Sequence, residues 1–149
     1  MIMNEQTLQK LKDIEKDMLV IFIQICKKYD MRYFLAGGSC LGAVRHRGFI
    51  PWDDDIDVVM PREDYEKFLK VARNELPENI FLQTGKTDND FPMNFAKLRN
   101  SDTTFIETSV KNFKINHGVF IDIFPLDGYS DSKWFKLMNR IYISRINLE

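Results

Sequence analysis

The chain has 149 residues, a one-domain length, and its 44% apolar and 29% charged composition excludes a disordered or collagen-like polypeptide. Lys and Arg number 21 against 22 Asp and Glu, leaving a net charge of −1 and no global basic field for a nucleic-acid backbone, so no nucleic-acid partner is expected. Only two cysteines are present, Cys26 and Cys40, too few for a disulfide framework and consistent with free thiols in a reducing compartment.

Taken in chain order, the first element is a helix from about Gln6 to Tyr29. Leu8, Leu11, Ile14, Met18, Phe22 and Ile25 recur there at three- and four-residue steps, and Asn4 or Thr7 suits its N-cap. Its longest apolar run, Met18 to Ile25, is too short to span a bilayer. The chain start lacks the pattern of a secretory signal, so a cytoplasmic protein is expected. A strand over Arg32–Ala36 stops at Gly37-Gly38-Ser39, and Cys40 to His46 forms a short helix. The run from Trp52 to Met60 predicts a strand loaded with carboxylates, closed by Pro61, which suits the first turn of a helix from Arg62 to about Leu76. Ile80–Gln83 is a short strand, and Asn94–Arg99 with Thr103–Thr108 reads as a hairpin around Asn100-Ser101-Asp102. Gly118 to Phe124 is a further acidic strand. The last segment, Ser132 to Ile146, is helical by the period of Trp134, Leu137, Met138 and Ile141. That stripe must be buried against something, and a homo-oligomer is the expected partner. The whole is one α+β unit over residues 1–149, without internal repeat or linker, a mixed sheet flanked by helices.

The chemistry concentrates in two places. Side chains of a strand alternate, so Asp53, Asp55 and Asp57 would share a face, with neighbours roughly 7 Å apart at Cα. Crowded anions raise one another's pKa, and a hard divalent cation such as Mg²⁺, bound by oxygen at about 2.1 Å, removes that cost. The alternative is a solvated acidic loop, weakened by the apolar Ile56, Val58, Val59 and Met60 around it. Gly37-Gly38-Ser39 lets backbone amides and a helix N-terminus approach a phosphate, although a tight strand-to-helix turn alone explains the same residues. Asp122, inside an apolar strand, needs either a cation or a local amide donor. Arg45, His46 and Arg47, and likewise Lys97 and Arg99, are phosphate ligands or solvated surface. Cys40 reads as a small packed residue, and two histidines offer no zinc cluster.

The combination of Gly37-Gly38-Ser39, Asp55-Ile-Asp57 and a separate strand bearing Asp122 resembles the nucleotidyltransferase superfamily pattern. More closely, the block from Leu35 to Tyr65, LAGGSCLGAVRHRGFIPWDDDIDVVMPREDY, resembles the LicD family of phosphocholine transferases and their fukutin-type ribitol-phosphate relatives. Lys97-Leu-Arg99 and HGVFIDIFPLDG, His117 to Gly128, fit the same family. The resemblance implies a nucleotidyltransferase-like sheet and transfer of a phospho-alcohol, foremost phosphocholine from CDP-choline, to a glycan hydroxyl of lipopolysaccharide or teichoic acid. It implies Mg²⁺, with Mn²⁺ as substitute, on Asp55 and Asp57. Asp122 would help hold a second metal or take the acceptor proton. Gly37, Gly38 and Ser39 would grip donor phosphate, with Arg45 or Lys97 as cationic helpers. It further implies that residues 1–149 are the N-terminal part of a longer protein working at the inner membrane face. Nucleotidyl transfer to a small-molecule hydroxyl and metal or nucleotide binding without turnover are the alternatives.

Overall fold

The computed structural model describes residues 4–128 and Ser132. Helix α1 spans Glu5–Lys28, and Asn4 caps it by accepting the Thr7 N–H on Oδ1 at 2.8 Å. Strand β1 is Phe34–Leu35 and helix α2 is Gly37–His46. Strand β2, Asp57–Pro61, leads directly into helix α3, Arg62–Glu75. Strands β3, Ile80–Gln83, and β4, Ala96–Asn100, are followed by a 3-10 turn at Thr108–Val110 and by β5, Val119–Leu126. The five strands form one mixed sheet in the order β1-β2-β5-β4-β3, with β2 and β5 parallel and every other neighbouring pair antiparallel. The α+β expectation holds.

Strand alternation divides this sheet into two unlike faces. Val58, Met60, Leu82, Ala96, Leu98, Ile121 and Ile123 are buried in a core with Met18, Phe22 and Ile25 of α1 and Tyr65, Phe68 and Ala72 of α3. Phe22 is the pivot of that layer, with its ring edge-on to Phe68 at 5.0 Å and to Tyr33 at 5.3 Å between centroids. The opposite face carries Asp57, Asp122, Lys97 and Gln83. In β4 every residue from Ala96 to Arg99 is buried, so both faces of that strand are covered.

Several boundaries differ from the sequence expectation. The acidic strand begins at Asp57 rather than Trp52. Lys12 on α1 donates to the carbonyls of Ile50 (3.0 Å) and Pro51 (2.8 Å), and the Asp53 N–H closes a turn onto Ile50 O. Residues 53–55 are thereby bent out of the ladder, while Ile56 O still accepts the Asp122 N–H at 2.9 Å. Helix α2 begins at Gly37, so the glycine turn is its first turn rather than a preceding loop. Pro61 is the last residue of β2 and the N-cap of α3. Thr103–Thr108 is not a strand, because both edges of β4 are already taken by β3 and β5. The Thr103 hydroxyl instead donates to Asn100 O at 2.7 Å and accepts the Val119 N–H at 2.8 Å, folding the segment into a local turn. The expected helix over 132–146 lies outside the described residues apart from Ser132.

Candidate active site

Three strands place three charged side chains in one transverse row. Register pairs Asp57 with Asp122 across the parallel β2–β5 ladder, and Asp122 with Lys97 across β5–β4. Adjacent strands lie about 4.8 Å apart, so the row sets a carboxylate beside a carboxylate beside an ammonium. Gln83 continues it on β3.

Helix α2 brings the glycine turn against the start of this row. The Ala36 N–H donates to Asp57 O at 3.0 Å, and Ser39 Oγ accepts the Asp57 N–H at 2.8 Å. Ala36 holds the cap position of α2, and no side chain caps this end. The first intrahelical bond runs from the Cys40 N–H to Ala36 O, and the amides of Gly37, Gly38 and Ser39 precede it. Gly37 has φ +49°, and a Cβ there would lie 3.0 Å from Asp57 Oδ2. A Cβ on Gly38 would fall 2.4 Å from Asp53 Oδ2. The left-handed φ favours glycine at Gly37, and at both positions the missing Cβ lets carboxylates pack directly on the turn, where a helix N-terminus favours negative charge.

The carboxylates are desolvated and crowded. Burial is the main force raising Asp55 to about 6, with Asp57, Asp53 and Asp54 adding repulsion and Lys97 opposing it. Asp57 is raised by burial and by Asp53, again against Lys97. Asp122 rises to about 6 through burial, held back by Lys97. Oxygens of Asp53, Asp54 and Asp55 approach within 4.8 Å of one another, close enough to share a cation. Asp57 and Asp122 stand beside that trio on the sheet rather than within it. Asp53 Oδ2 is buried without a hydrogen-bond partner among the described residues.

Lys97 is not a surface residue. At 2% exposure, its Nζ contacts Asp122 Oδ1 at 2.8 Å and Glu107 Oε1 at 3.0 Å, and lies 3.4 Å from the Phe120 ring centroid. Arg99 is fully buried too. It bonds Glu107 Oε2 (2.6 Å), Gln83 Oε1 (2.6 Å) and Gly118 O (2.8 Å). Solvated surface is thus excluded for this pair, since β4 lies inside the sheet between β3 and β5. Arg45 is exposed in the last turn of α2, about 10 Å along the helix axis from Gly38. Cys40 is exposed rather than packed.

Two carboxylates beside the site were not legible in the sequence. Glu107 bridges Lys97 and Arg99 with one oxygen each, from a segment that the sequence assigned to a hairpin strand. Glu15 on α1 is wholly buried with neither carboxylate oxygen bonded among the described residues, and burial, then Asp55 and Asp54, push it to about 9. Its place on the helix pattern, between Ile14 and Met18, was the available signal. A cleft of about 730 Å³ opens between α1 and α2, lined by Lys12, Lys16, Leu35, Ser39, Arg47 and Phe49 among others. It meets the carboxylate site through Ser39 and Ile56.

A family model described as LicD/FKTN/FKRP, nucleotidyltransferase domain, matches residues 30–145. The lipopolysaccharide cholinephosphotransferase LicD of Haemophilus influenzae is 36% identical over 127 residues, covering 85% of this chain and 46% of that protein. The human ribitol 5-phosphate transferase FKRP is 56% identical over 105 residues, 68% of this chain and 20% of its own length. The mouse ribitol-5-phosphate transferase FKTN is 26% identical over 80 residues, 54% of this chain and 17% of its own length. The chain spans less than half the length of each of these relatives. No helix among the described residues is long and apolar enough to cross a membrane.

Proposed function

The chain belongs to the LicD/FKTN/FKRP nucleotidyltransferase-domain family, and on that premise we propose that it takes part in metal-dependent transfer of a phospho-alcohol to a glycan hydroxyl. Phosphocholine from CDP-choline is the donor group this reading favours, after the relative that covers most of the chain. The observation that carries it is the packing of the Gly37–Ser39 turn onto Asp53 and Asp57, with Asp122 one strand away. A phosphate arriving at that turn meets carboxylates, so it needs a divalent cation between them.

The residues fit such a cation. They are hard oxygen donors, desolvated and raised in pKa, and Asp53 Oδ2 is an orphaned buried acceptor. Asp55 and Asp57 would hold Mg²⁺, or Mn²⁺ in its place. When bound, the ion neutralises pyrophosphate charge and stabilises the departing oxygen. The amides of Gly37 and Gly38 and the Ser39 hydroxyl orient donor phosphate at the N-terminus of α2. Asp122, raised to about 6, is ionised at neutral pH yet basic enough to accept the proton of the acceptor hydroxyl. The acceptor oxygen bonds the phosphorus bearing the alcohol as the bond to CMP breaks, and the proton ends on Asp122. Lys97 keeps Asp122 in place, while Arg45 at the far end of α2 reaches only an extended donor. The proposal places this reaction in the cytoplasm at the inner membrane face, with a lipopolysaccharide or teichoic-acid type of acceptor.

The test is incubation of the chain with CDP-choline or CDP-ribitol, Mg²⁺ and a glycan acceptor, with CMP release and product mass as readouts. CMP release with phosphocholine on the acceptor supports the proposal. CMP retained on the acceptor indicates nucleotidyl transfer instead. Mg²⁺-dependent donor binding without turnover indicates that this length of chain binds donor but lacks acceptor groups.

A further inference from the structure

On the sheet face that carries Asp57 and Asp122, the next residues along are apolar. Register pairs Phe34 of β1 with Val59 of β2, and Val59 with Phe124 of β5. Val59 and Phe124 follow Asp57 and Asp122 by two residues, so they share that face about 7 Å further along the strands. A small side chain thus stands between two phenylalanines whose Cα atoms lie two strand spacings apart, about 10 Å. The result is a slot with Val59 as floor and an aromatic side chain on each wall. Phe34 is 55% exposed, and Val59 and Phe124 are half-buried, so the slot is open to solvent. Phe124 is braced from the β4 side by Phe95, 4.4 Å away between centroids, and Phe91 meets Phe95 edge-on at 6.3 Å.

Aromatic faces attract a cation, and the carboxylates of Asp57 and Asp122 at the end of the slot add negative charge. Its walls offer no hydrogen-bonding side chain. A polyhydroxylated alcohol would be stripped of water there without partners, and a primary ammonium would lose its hydration in the same way. A quaternary ammonium has no N–H to satisfy. The protein's own cations in this region are already engaged: Lys97 with Asp122 and Glu107, Arg62 with Asp127, and Arg32 with Asp64. In phosphocholine the nitrogen stands four bonds from the phosphorus, a reach on the order of one two-residue step of strand. With the phosphate at the Asp57–Asp122 row, the trimethylammonium enters between Phe34 and Phe124.

We propose that Phe34, Val59 and Phe124 form the site for the alcohol head of the donor, and that this site selects a quaternary ammonium over a polyol or a primary amine. This rests on the phospho-alcohol transfer proposed above and names the residues that choose the alcohol.

The experiment measures, by calorimetry with Mg²⁺, the affinity of the chain for CDP-choline, for CDP-ribitol and for the carbon isostere of CDP-choline, in which a tert-butyl group replaces the trimethylammonium. Wild type should prefer CDP-choline to both by on the order of tenfold. Phe34→Leu keeps an apolar wall without a π face and should reduce the preference over the isostere about fivefold, whereas Phe34→Trp should retain it. Val59→Phe fills the floor and should abolish the preference over CDP-ribitol. Circular dichroism checks folding, and if Val59→Phe unfolds, the two Phe34 variants decide, since Phe34 is exposed on an edge strand. A wild type that binds the isostere or CDP-ribitol as tightly as CDP-choline would overturn the proposal, and so would a folded Phe34→Leu or Val59→Phe with unchanged preference. Either result would leave the transfer reading intact. A folded wild type that binds none of the three would overturn both.

Discussion

Ser39 Oγ accepts the backbone N–H of Asp57 at 2.8 Å, fastening the first turn of α2 to the first residue of β2. The same hydroxyl is thus committed through its oxygen to the protein while its proton remains available to a phosphate. Ser39→Ala leaves the Asp57 amide without that acceptor and should cost about 1 kcal/mol of stability. Urea denaturation measures the loss, and donor binding should weaken alongside it as Asp57 loosens. An unchanged midpoint would show that water replaces the hydroxyl there.

The glycines of α2 separate two kinds of crowding. A Cβ on Gly42 would lie 2.5 Å from Gly48 O, a backbone atom that cannot step aside, so Gly42→Ala should destabilise by about 2 kcal/mol or more. At Gly38 the clash is with Asp53 Oδ2, the end of a flexible side chain. Gly38→Ala should therefore cost less stability but more Mg²⁺ affinity, since Asp53 must swing away. Thermal midpoints and metal titration of the two variants should rank in opposite orders.

Asp57→Asn should keep or raise the thermal midpoint of the metal-free chain. Burial and the neighbouring Asp53 hold Asp57 above the ordinary carboxylate range, so its charge opposes folding. Stabilisation by Mg²⁺ with CDP-choline should shrink in the same variant. Unfolding of the variant, with a wild type indifferent to Mg²⁺, would make Asp57 a structural residue.

Stability of the metal-free chain should fall as pH rises. Asp55 and Asp122 are raised from 3.8 to about 6, and Glu15 from 4.5 to about 9. A carboxyl raised in the folded state binds its proton more tightly there than in the unfolded chain. Its contribution is complete below the unfolded value and lost as pH passes through the folded one. The aspartates act between about pH 4 and 6, and Glu15 continues the loss toward about pH 9. Glu15→Gln should leave stability near pH 5 almost unchanged and raise it at pH 9 by on the order of a few kcal/mol. Denaturation across that range checks the crossing, and parallel curves for variant and wild type would contradict it.

Local signals carried much of this protein in one dimension. The three- and four-residue apolar steps from Leu11 to Ile25 specify α1, because a helix repeats every 3.6 residues whatever surrounds it. Gly37-Gly38-Ser39 and the acidic run from Asp53 to Asp57 marked the site, since turn and carboxylate chemistry are properties of neighbouring residues. Strand partners are not. Asp122 stands beside Asp57 across a parallel ladder 65 residues away in sequence, and Lys97 becomes buried because β3 and β5 both claim the edges of β4. Glu107 joins Lys97 to Arg99 from a turn that strand propensity alone misassigned, and Glu15 lies beneath the carboxylates because α1 packs there. Only the tertiary structure decides such matters: the charge balance of a buried site depends on which distant segments the sheet brings within a few ångströms.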